Sequence, residues 1–180
     1  MTDNNQIRLS RRLSYVLRHD PASVGLTLDA QGWVRVDALL KAVRITRAQL
    51  DTVVANDNKQ RYRVRVATDG IAWIRASQGH SVPVDLGLDP ADPPAELFHG
   101  TPRRNVAAIF ADGLRPGQRH HVHLSPDVAT AHAVGRRRGD EVVLRVDAAA
   151  LSATGALFYR SDNGVWLTDH VPPTYLTQLS

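Results

Sequence analysis

Residues 83–95, PVDLGLDPADPPA, decide how the rest of the chain is read. Four of these positions are proline, which fixes φ and removes an amide donor, and the stretch keeps neither the helical nor the strand period. It reads as a connector, and it divides the chain into an N-terminal lobe (residues 1–82) and a C-terminal lobe (96–180). With 180 residues to share, each lobe is long enough to bury a core of its own.

Upstream of the connector, Leu9, Leu13, Val16 and Leu17 recur on one helical face, so Ile7 to His19 is expected to be an amphipathic helix. Asp20-Pro21 should end it, because proline disfavours helical geometry in the residue before it. A second helix is expected from Asp37, as N-cap, to Val43, and a third after Thr46 with Leu50, Val53 and Val54 turned inward. Tyr62 to Val66 and Ile71 to Ile74 then flank Thr68-Asp69-Gly70, a β-hairpin with a glycine in its turn. Helices followed by a hairpin predict a winged-helix arrangement.

Downstream, strand and helix patterns alternate in short pieces. Leu97-Phe98 is a strand leading into His99-Gly100-Thr101, and a helix should run from Asn105 to Ala111, stopped by Asp112-Gly113. His121 to Ser125 reads as a strand, Pro126 to Val134 as a helix, and Glu141 to Val146 as a buried strand. Leu157 to Tyr159 and Val165 to Thr168 flank Ser161-Asp162-Asn163-Gly164, whose Asn-Gly pair is a strong hairpin signal. This predicts a compact α+β lobe rather than a Rossmann sheet.

Composition narrows the chemistry. There are no cysteines, which excludes disulfides, thiol catalysis and Cys-ligated metal sites. Glutamate occurs only at Glu96 and Glu141, too few for a paired-Glu glycosidase. No G-x-G-x-x-G, Walker or G-x-S-x-G sequence is present, which argues against dinucleotide-fold, P-loop and serine-hydrolase sites. No apolar run is long enough to span a bilayer, and the polar start MTDNNQIRLSRR lacks a signal-peptide core, so a cytoplasmic protein without membrane contact is expected. Net charge is +4, and lysine appears only at Lys41 and Lys59, so nearly all the cations are arginine. Guanidinium groups match phosphate oxygens, so an anionic partner fits, as does a plain arginine bias.

Several polar clusters could carry chemistry, each with a plainer reading beside it. Arg18-His19 closes the first helix and either grips a phosphate or complements the helix dipole. Asn56 to Tyr62 is a polar turn with a basic end, and Arg75-Ala76-Ser77-Gln78-Gly79-His80-Ser81 is a polar tail on an apolar strand. His99-Gly100-Thr101 is either a nucleotide pocket or a satisfied strand end. Arg119-His120-His121-Val122-His123-Leu124-Ser125 puts His121 and His123 on one strand face, but no third ligand accompanies them and no metal is predicted. Gly135-Arg136-Arg137-Arg138-Gly139 is basic at a helix end.

Taken in order, these fragments resemble the NAD⁺-dependent RNA (tRNA) 2′-phosphotransferases. The likeness runs through Leu13-Ser14-Tyr15-Val16-Leu17-Arg18-His19, Gly32-Trp33-Val34, Lys59-Gln60-Arg61-Tyr62 and Ile74 to Ser81. It continues through His99-Gly100-Thr101, Arg119-x-His121-Val122-His123-Leu124-Ser125, Gly135-x-Arg137-x-Gly139 and Ser161 to Thr168. Ser77 and Tyr62 depart from the family's commoner Asn and Phe.

The resemblance implies a winged-helix-like N-terminal lobe and a C-terminal lobe akin to ADP-ribosyltransferases, with the active site between them. It implies transfer of an internal RNA 2′-phosphate, of the tRNA splice-junction type, to NAD⁺ through an ADP-ribosylated RNA. The products would be 2′-OH RNA, nicotinamide and ADP-ribose 1″,2″-cyclic phosphate. By the same resemblance Arg18, His19, Arg61 and Arg119 form the catalytic set. Arg18, His19 and Arg61, with Arg75 as an additional contact, would hold the phosphate. His99, Gly100, Thr101, His123, Leu124, Ser125, Asn163 and Gly164 would line the NAD⁺ site of a monomer. Two alternatives stay open: ADP-ribosylation of terminal RNA or DNA phosphates, and a non-catalytic winged-helix nucleic-acid binder.

Overall fold

The computed structural model describes residues 3–179. The chain is mixed α and β, with three small antiparallel sheets, and it divides into two compact units, Met1–Gly87 and Leu88–Ser180.

The first unit is built on helices α1 (Asp3–Arg18), α2 (Val36–Val43) and α3 (Arg47–Ala55) and on strands β1 (Val34–Arg35), β2 (Tyr62–Val66) and β3 (Ala72–Ala76). Helix α1 starts a turn earlier than its apolar pattern predicts, with Asp3 in its first turn and Arg18 in its last, both favourable to the helix dipole. Asp20 then caps a 3₁₀ turn, Pro21–Val24, by accepting the Ser23 amide, and Gly25 closes that turn in the left-handed region. Helix α2 differs from the expectation at its start: Arg35 is the N-cap, and Asp37 lies inside the first turn, paired with Arg35 at 2.6 Å. Hydrogen bonding to Arg35 holds the Asp37 carboxyl below its usual range. Thr46 caps α3 as predicted, in a reciprocal capping box with Gln49.

The sheet order is β1-β3-β2, with Val34 opposite Ile74 and Tyr62 opposite Ala76. Its inner face meets Leu13, Val16 and Leu17 of α1, Leu39 and Val43 of α2, and Leu50 and Val53 of α3 in one apolar cluster. Tyr62 is buried at the edge of that cluster, and its hydroxyl donates to the Ser10 carbonyl at 2.6 Å. Burial pushes the phenol pKa up, which keeps it a donor.

The second unit pairs β4 (Glu96–Pro102), β6 (Glu141–Asp147) and β9 (Leu176–Gln178) in one sheet, and β5 (Val122–Leu124), β8 (Trp166–Thr168) and β7 (Phe158–Arg160) in another. Helices α4 (Val106–Asp112), α5 (Val128–Gly135) and α6 (Ala148–Ala153) connect them. Strand α-helix neighbours α6 and β9 have no counterpart in the sequence reading, because both are too short to show a period. The motif His99-Gly100-Thr101 lies within β4 rather than after it. A two-bond bridge between Phe98 and Ser125 ties β4 to the end of β5. Leu97, Leu124, Leu144, Val146, Phe158 and Trp166 form the core.

The proline-rich stretch is not loose. Asp85 donates its amide to the Ala30 carbonyl within the first unit, whereas Ala91 donates to the Phe158 carbonyl within the second. Among the described residues no helix is long and apolar enough to cross a membrane.

Helix α5 lies so close to β4 that a Cβ at Gly100 would stand 1.9 Å from the Ala131 carbonyl oxygen, and one at Gly135 would stand 2.9 Å from Glu141 Cβ. A Gly100→Ala substitution therefore has to push the helix off the sheet. The expected cost is about 3 kcal/mol, toward the upper end for overpacking. In a unit of this size that lowers the melting temperature by more than about 10 °C in a thermal melt. A shift of a degree or two would show that α5 can slide without loss.

Candidate functional site

In the first unit, the polar segment 77–81 gathers three of the predicted site residues. Helix α1 ends with an orphan carbonyl at Arg18, which accepts the Ser81 amide at 2.9 Å. The Arg18 side chain runs along Gly79, whose φ of +87° and missing Cβ leave a guanidinium nitrogen 3.7 Å from where a Cβ would sit. His19 is exposed, and its Nδ1 is 2.9 Å from Ser81 Oγ, which fixes the ring. Tyr15 packs one turn earlier, its ring centroid 5.8 Å from that of His19.

The backbone of Arg61 pairs with the same segment. Its carbonyl accepts the Ser77 amide at 2.8 Å, and Ser77 Oγ donates to the Gln60 carbonyl at 2.6 Å. Gln60 holds a positive φ of 44°, which turns the chain so that the Arg61 amide and guanidinium both donate to Asp57. Asp57 is almost fully buried and Arg61 about a third exposed, so the carboxylate is a fixed anchor and the cation keeps a solvent-facing edge. Burial raises the Tyr62 phenol pKa, and the charges of Arg18 and Arg61 act against it. Arg18, His19 and Arg61 thus come together within this unit.

Arg75 has a different setting. It is 6 % exposed, its Nη1 donates to the carbonyls of Gln31 (3.3 Å) and Leu86 (3.1 Å), and its guanidinium lies 4.8 Å from the Trp33 ring centroid. Those contacts join the carbonyls of Gln31 and Leu86 to the guanidinium that β3 carries.

In the second unit the bridge between Phe98 and Ser125 sets His99-Gly100-Thr101 beside His123-Leu124-Ser125. His99 Nδ1 donates to the His123 carbonyl at 3.1 Å, orienting the ring from the neighbouring strand. Thr101 and Leu124 are buried, Leu124 in the core, while His99, Gly100, His123 and Ser125 are half-buried. Leu124 is opposite Trp166 in β8, so the turn carrying Asn163-Gly164, which leads into β8, adjoins the same strand end. Ser161 Oγ donates to Asn163 Oδ1 at 2.8 Å and accepts the Val165 amide at 3.1 Å, so the turn is braced from inside. Arg119 is half-buried in the turn entering β5, its amide donating to the Pro116 carbonyl at 3.3 Å. His121 leans on Tyr159 and lies 3.6 Å from Asp169. Among the described residues no three His, Cys, Asp or Glu side chains are grouped to hold a metal ion.

Sequence reasoning passed over Asp57 and Ser81 as site residues. Asp57 stands four before Arg61, a spacing that can pair charges in a tight turn, but the turn itself becomes visible only with the positive φ of Gln60. Asp57→Ala should cost about 2 kcal/mol, the scale for a hydrogen bond to a charged group, in a urea titration. An unchanged midpoint would mean that Arg61 is held by something other than this carboxylate.

Comparison with known proteins bears on what such a site is for. Residues 4–170 match the model of the RNA 2′-phosphotransferase, Tpt1 / KptA family. The chain is 51% identical to a Streptomyces griseus protein named "Probable RNA 2′-phosphotransferase", over 98% of each chain. It is 48% identical to a Nostoc punctiforme protein of the same name, over 99% of this chain and all of that one. An Agrobacterium fabrum protein, again so named, is 53% identical over 93% of this chain and 91% of its own. With a family model spanning nearly its whole length and relatives at half identity end to end, the chain belongs to the RNA 2′-phosphotransferase, Tpt1 / KptA family.

Proposed function

We propose that this protein transfers an internal 2′-phosphate from RNA to NAD⁺, releasing 2′-OH RNA and nicotinamide. The observation that carries the reading is the gathering of Arg18, His19 and Arg61 around segment 77–81, in a chain of this family. Two guanidinium groups and an imidazole, each held by a neutral or anionic neighbour, suit a phosphate dianion.

A phosphate needs no strong base to act as a nucleophile, so the demands on the protein are positioning and charge management. Arg18 and Arg61 would hold the phosphoryl oxygens. Asp57 fixes the direction from which Arg61 donates, and Ser81 fixes the His19 ring, so neither side chain must be ordered on binding. His19 is placed to donate to a third oxygen. Arg119, in the second unit, would stabilise the charge that builds on phosphorus when the phosphate leaves the RNA.

NAD⁺ would supply a ribose carbon made electrophilic by its nicotinamide leaving group. The residues of β4 and β5 are compatible with such a co-substrate: ring and hydroxyl donors at His99, His123 and Ser125 are half-buried and backed by apolar core. Gly100 contributes by a different route from backbone recognition, since its missing side chain is what lets α5 pack against β4. In this reading the first unit is the winged-helix-like, RNA-phosphate-binding lobe and the second the ADP-ribosyltransferase-like lobe, acting in the cytoplasm as a monomer on splice-junction RNA.

Incubation of the full chain with NAD⁺ and a 2′-phosphorylated oligoribonucleotide should yield 2′-OH RNA, nicotinamide and a cyclic phosphate of ADP-ribose by mass spectrometry. Stable ADP-ribosylation of a terminally phosphorylated RNA, with the internal phosphate untouched, would instead favour the terminal-phosphate activity. Absence of nicotinamide release would leave only a binder. Arg119→Ala should slow the release of 2′-OH RNA by about 10²–10³-fold, the scale for losing one charge-stabilising donor, and should accumulate the ADP-ribosylated RNA. Unimpaired release would remove Arg119 from the mechanism.

A further inference from the structure

We propose that the solvent-facing side of α1 is a docking surface for single-stranded RNA, holding the strand next to the reacting phosphate; the inference rests on RNA being the substrate. Residues 4–19 contain four arginines, Arg8, Arg11, Arg12 and Arg18, and no acidic residue. The net charge of the whole chain is also +4, so the cations and anions elsewhere balance. One helix therefore holds the charge excess of the protein.

Helical geometry sorts those charges by side. Positions 8, 11, 15 and 19 follow one another along a single face, whereas Leu13, Val16 and Leu17 are buried in the core. Arg8, Arg11, Tyr15 and His19 are all exposed. Among the described residues neither Arg8 nor Arg11 forms an ion pair, and Arg8 bonds to the neutral Asn5 Oδ1 at 3.4 Å. Asp3, the one carboxylate of α1, is five residues before Arg8 and hence on another side of the helix. On α3, which packs beside α1, Asp51 is paired with Arg47. Such a face costs an unliganded helix stability, because Arg8 meets Arg11 and Arg12 at spacings where like charges repel. A bound polyanion reverses the sign of that interaction.

Tyr15 says which polyanion. It is 54% exposed, and its ring is tilted 49° to that of His19 with the centroids 5.8 Å apart. It therefore stands one helical turn from the imidazole placed to meet the phosphate. An aromatic ring there suits the base of a neighbouring nucleotide, and stacking is indifferent to which base it is. Arg11 follows about 6 Å further along the axis and Arg8 about 4.5 Å beyond that, where successive backbone phosphates can be met. An acidic protein segment would answer the arginines but leave the ring unused. A bilayer surface would need an apolar helix face, and α1 commits its own to the core.

The test measures binding of a labelled single-stranded 20-nucleotide RNA, carrying one internal 2′-phosphate, to the full chain by fluorescence anisotropy without NAD⁺. Arg8→Gln/Arg11→Gln should raise Kd about tenfold and make the dependence of log affinity on log salt shallower by about 1.4, or about 0.7 for each lost phosphate contact. Tyr15→Leu should raise Kd about fivefold or more with the salt slope unchanged, and Tyr15→Phe should bind as the wild type does. Against an RNA whose residues flanking the 2′-phosphate are abasic, Tyr15→Leu and wild type should bind alike, which a merely structural tyrosine would not produce. Wild-type Kd and slope in the double variant would overturn the surface. So would absence of binding by the wild-type chain, or equal displacement of the labelled RNA by polyglutamate and by unphosphorylated RNA of the same charge. Should the wild-type protein bind this RNA yet release no nicotinamide when NAD⁺ is added, the transfer reading fails by itself, and the anisotropy still decides the helix face.

Discussion

The Arg18 carbonyl accepting the Ser81 amide is the constraint on which the arrangement of segment 77–81 against α1 depends. A helix ends with carbonyls that need donors, and α1 receives one from a segment continuous with the sheet. That bond brings the strand exit to the helix end, so Gly79 can lie against the Arg18 side chain and Ser81 can reach His19. At the start of the same segment, Ser77 joins the carbonyls of Gln60 and Arg61. One stretch of backbone thereby contacts Arg18 and His19 at the end of α1 and also Arg61, far from them in the chain.

The second unit combines close backbone contact with hydrogen bonding. Gly100 and Gly135 allow α5 to rest on β4 with backbone against backbone. The other edge of β4 is held to β5 through Phe98 and Ser125. His99 and His123 consequently lie on adjacent strands, one ring nitrogen bonded to the other residue's carbonyl. A side chain at Gly100 would disturb that arrangement by driving the Ala131 backbone of α5 away from β4.

Much of this was legible in the sequence wherever a local rule operates. Thr46 as the cap of α3, the hairpin around Asp69-Gly70 and the turn at Asn163-Gly164 are local chemistry, and the sequence reading and the structure agree on them. The docking of the proline-rich stretch was not legible, because Asp85 to Ala30 and Ala91 to Phe158 are contacts across long separations. The start of α2 was misread because Asp37 is a good cap in isolation, whereas here its carboxylate is engaged by Arg35. The gathering of Arg18, His19 and Arg61 depends on segment 77–81, whose composition alone is that of any exit loop.

The arginine excess has a physical division that net charge hides. Arg75 and Arg12 spend their donors on backbone carbonyls, at Gln31 and Leu86 and at Val43, and so replace water in closing the first unit. Arg47 and Arg35 pair with exposed carboxylates, where the gain is about 0–1 kcal/mol. Arg61 differs from both groups, being anchored by a buried carboxylate yet still facing solvent. An anchored cation with an open edge stabilises the fold no better than Arg75 does, and its geometry makes sense when the remaining donors are kept for an anion. Arg61 is therefore the part of the excess that the protein pairs and orients while leaving an edge toward solvent.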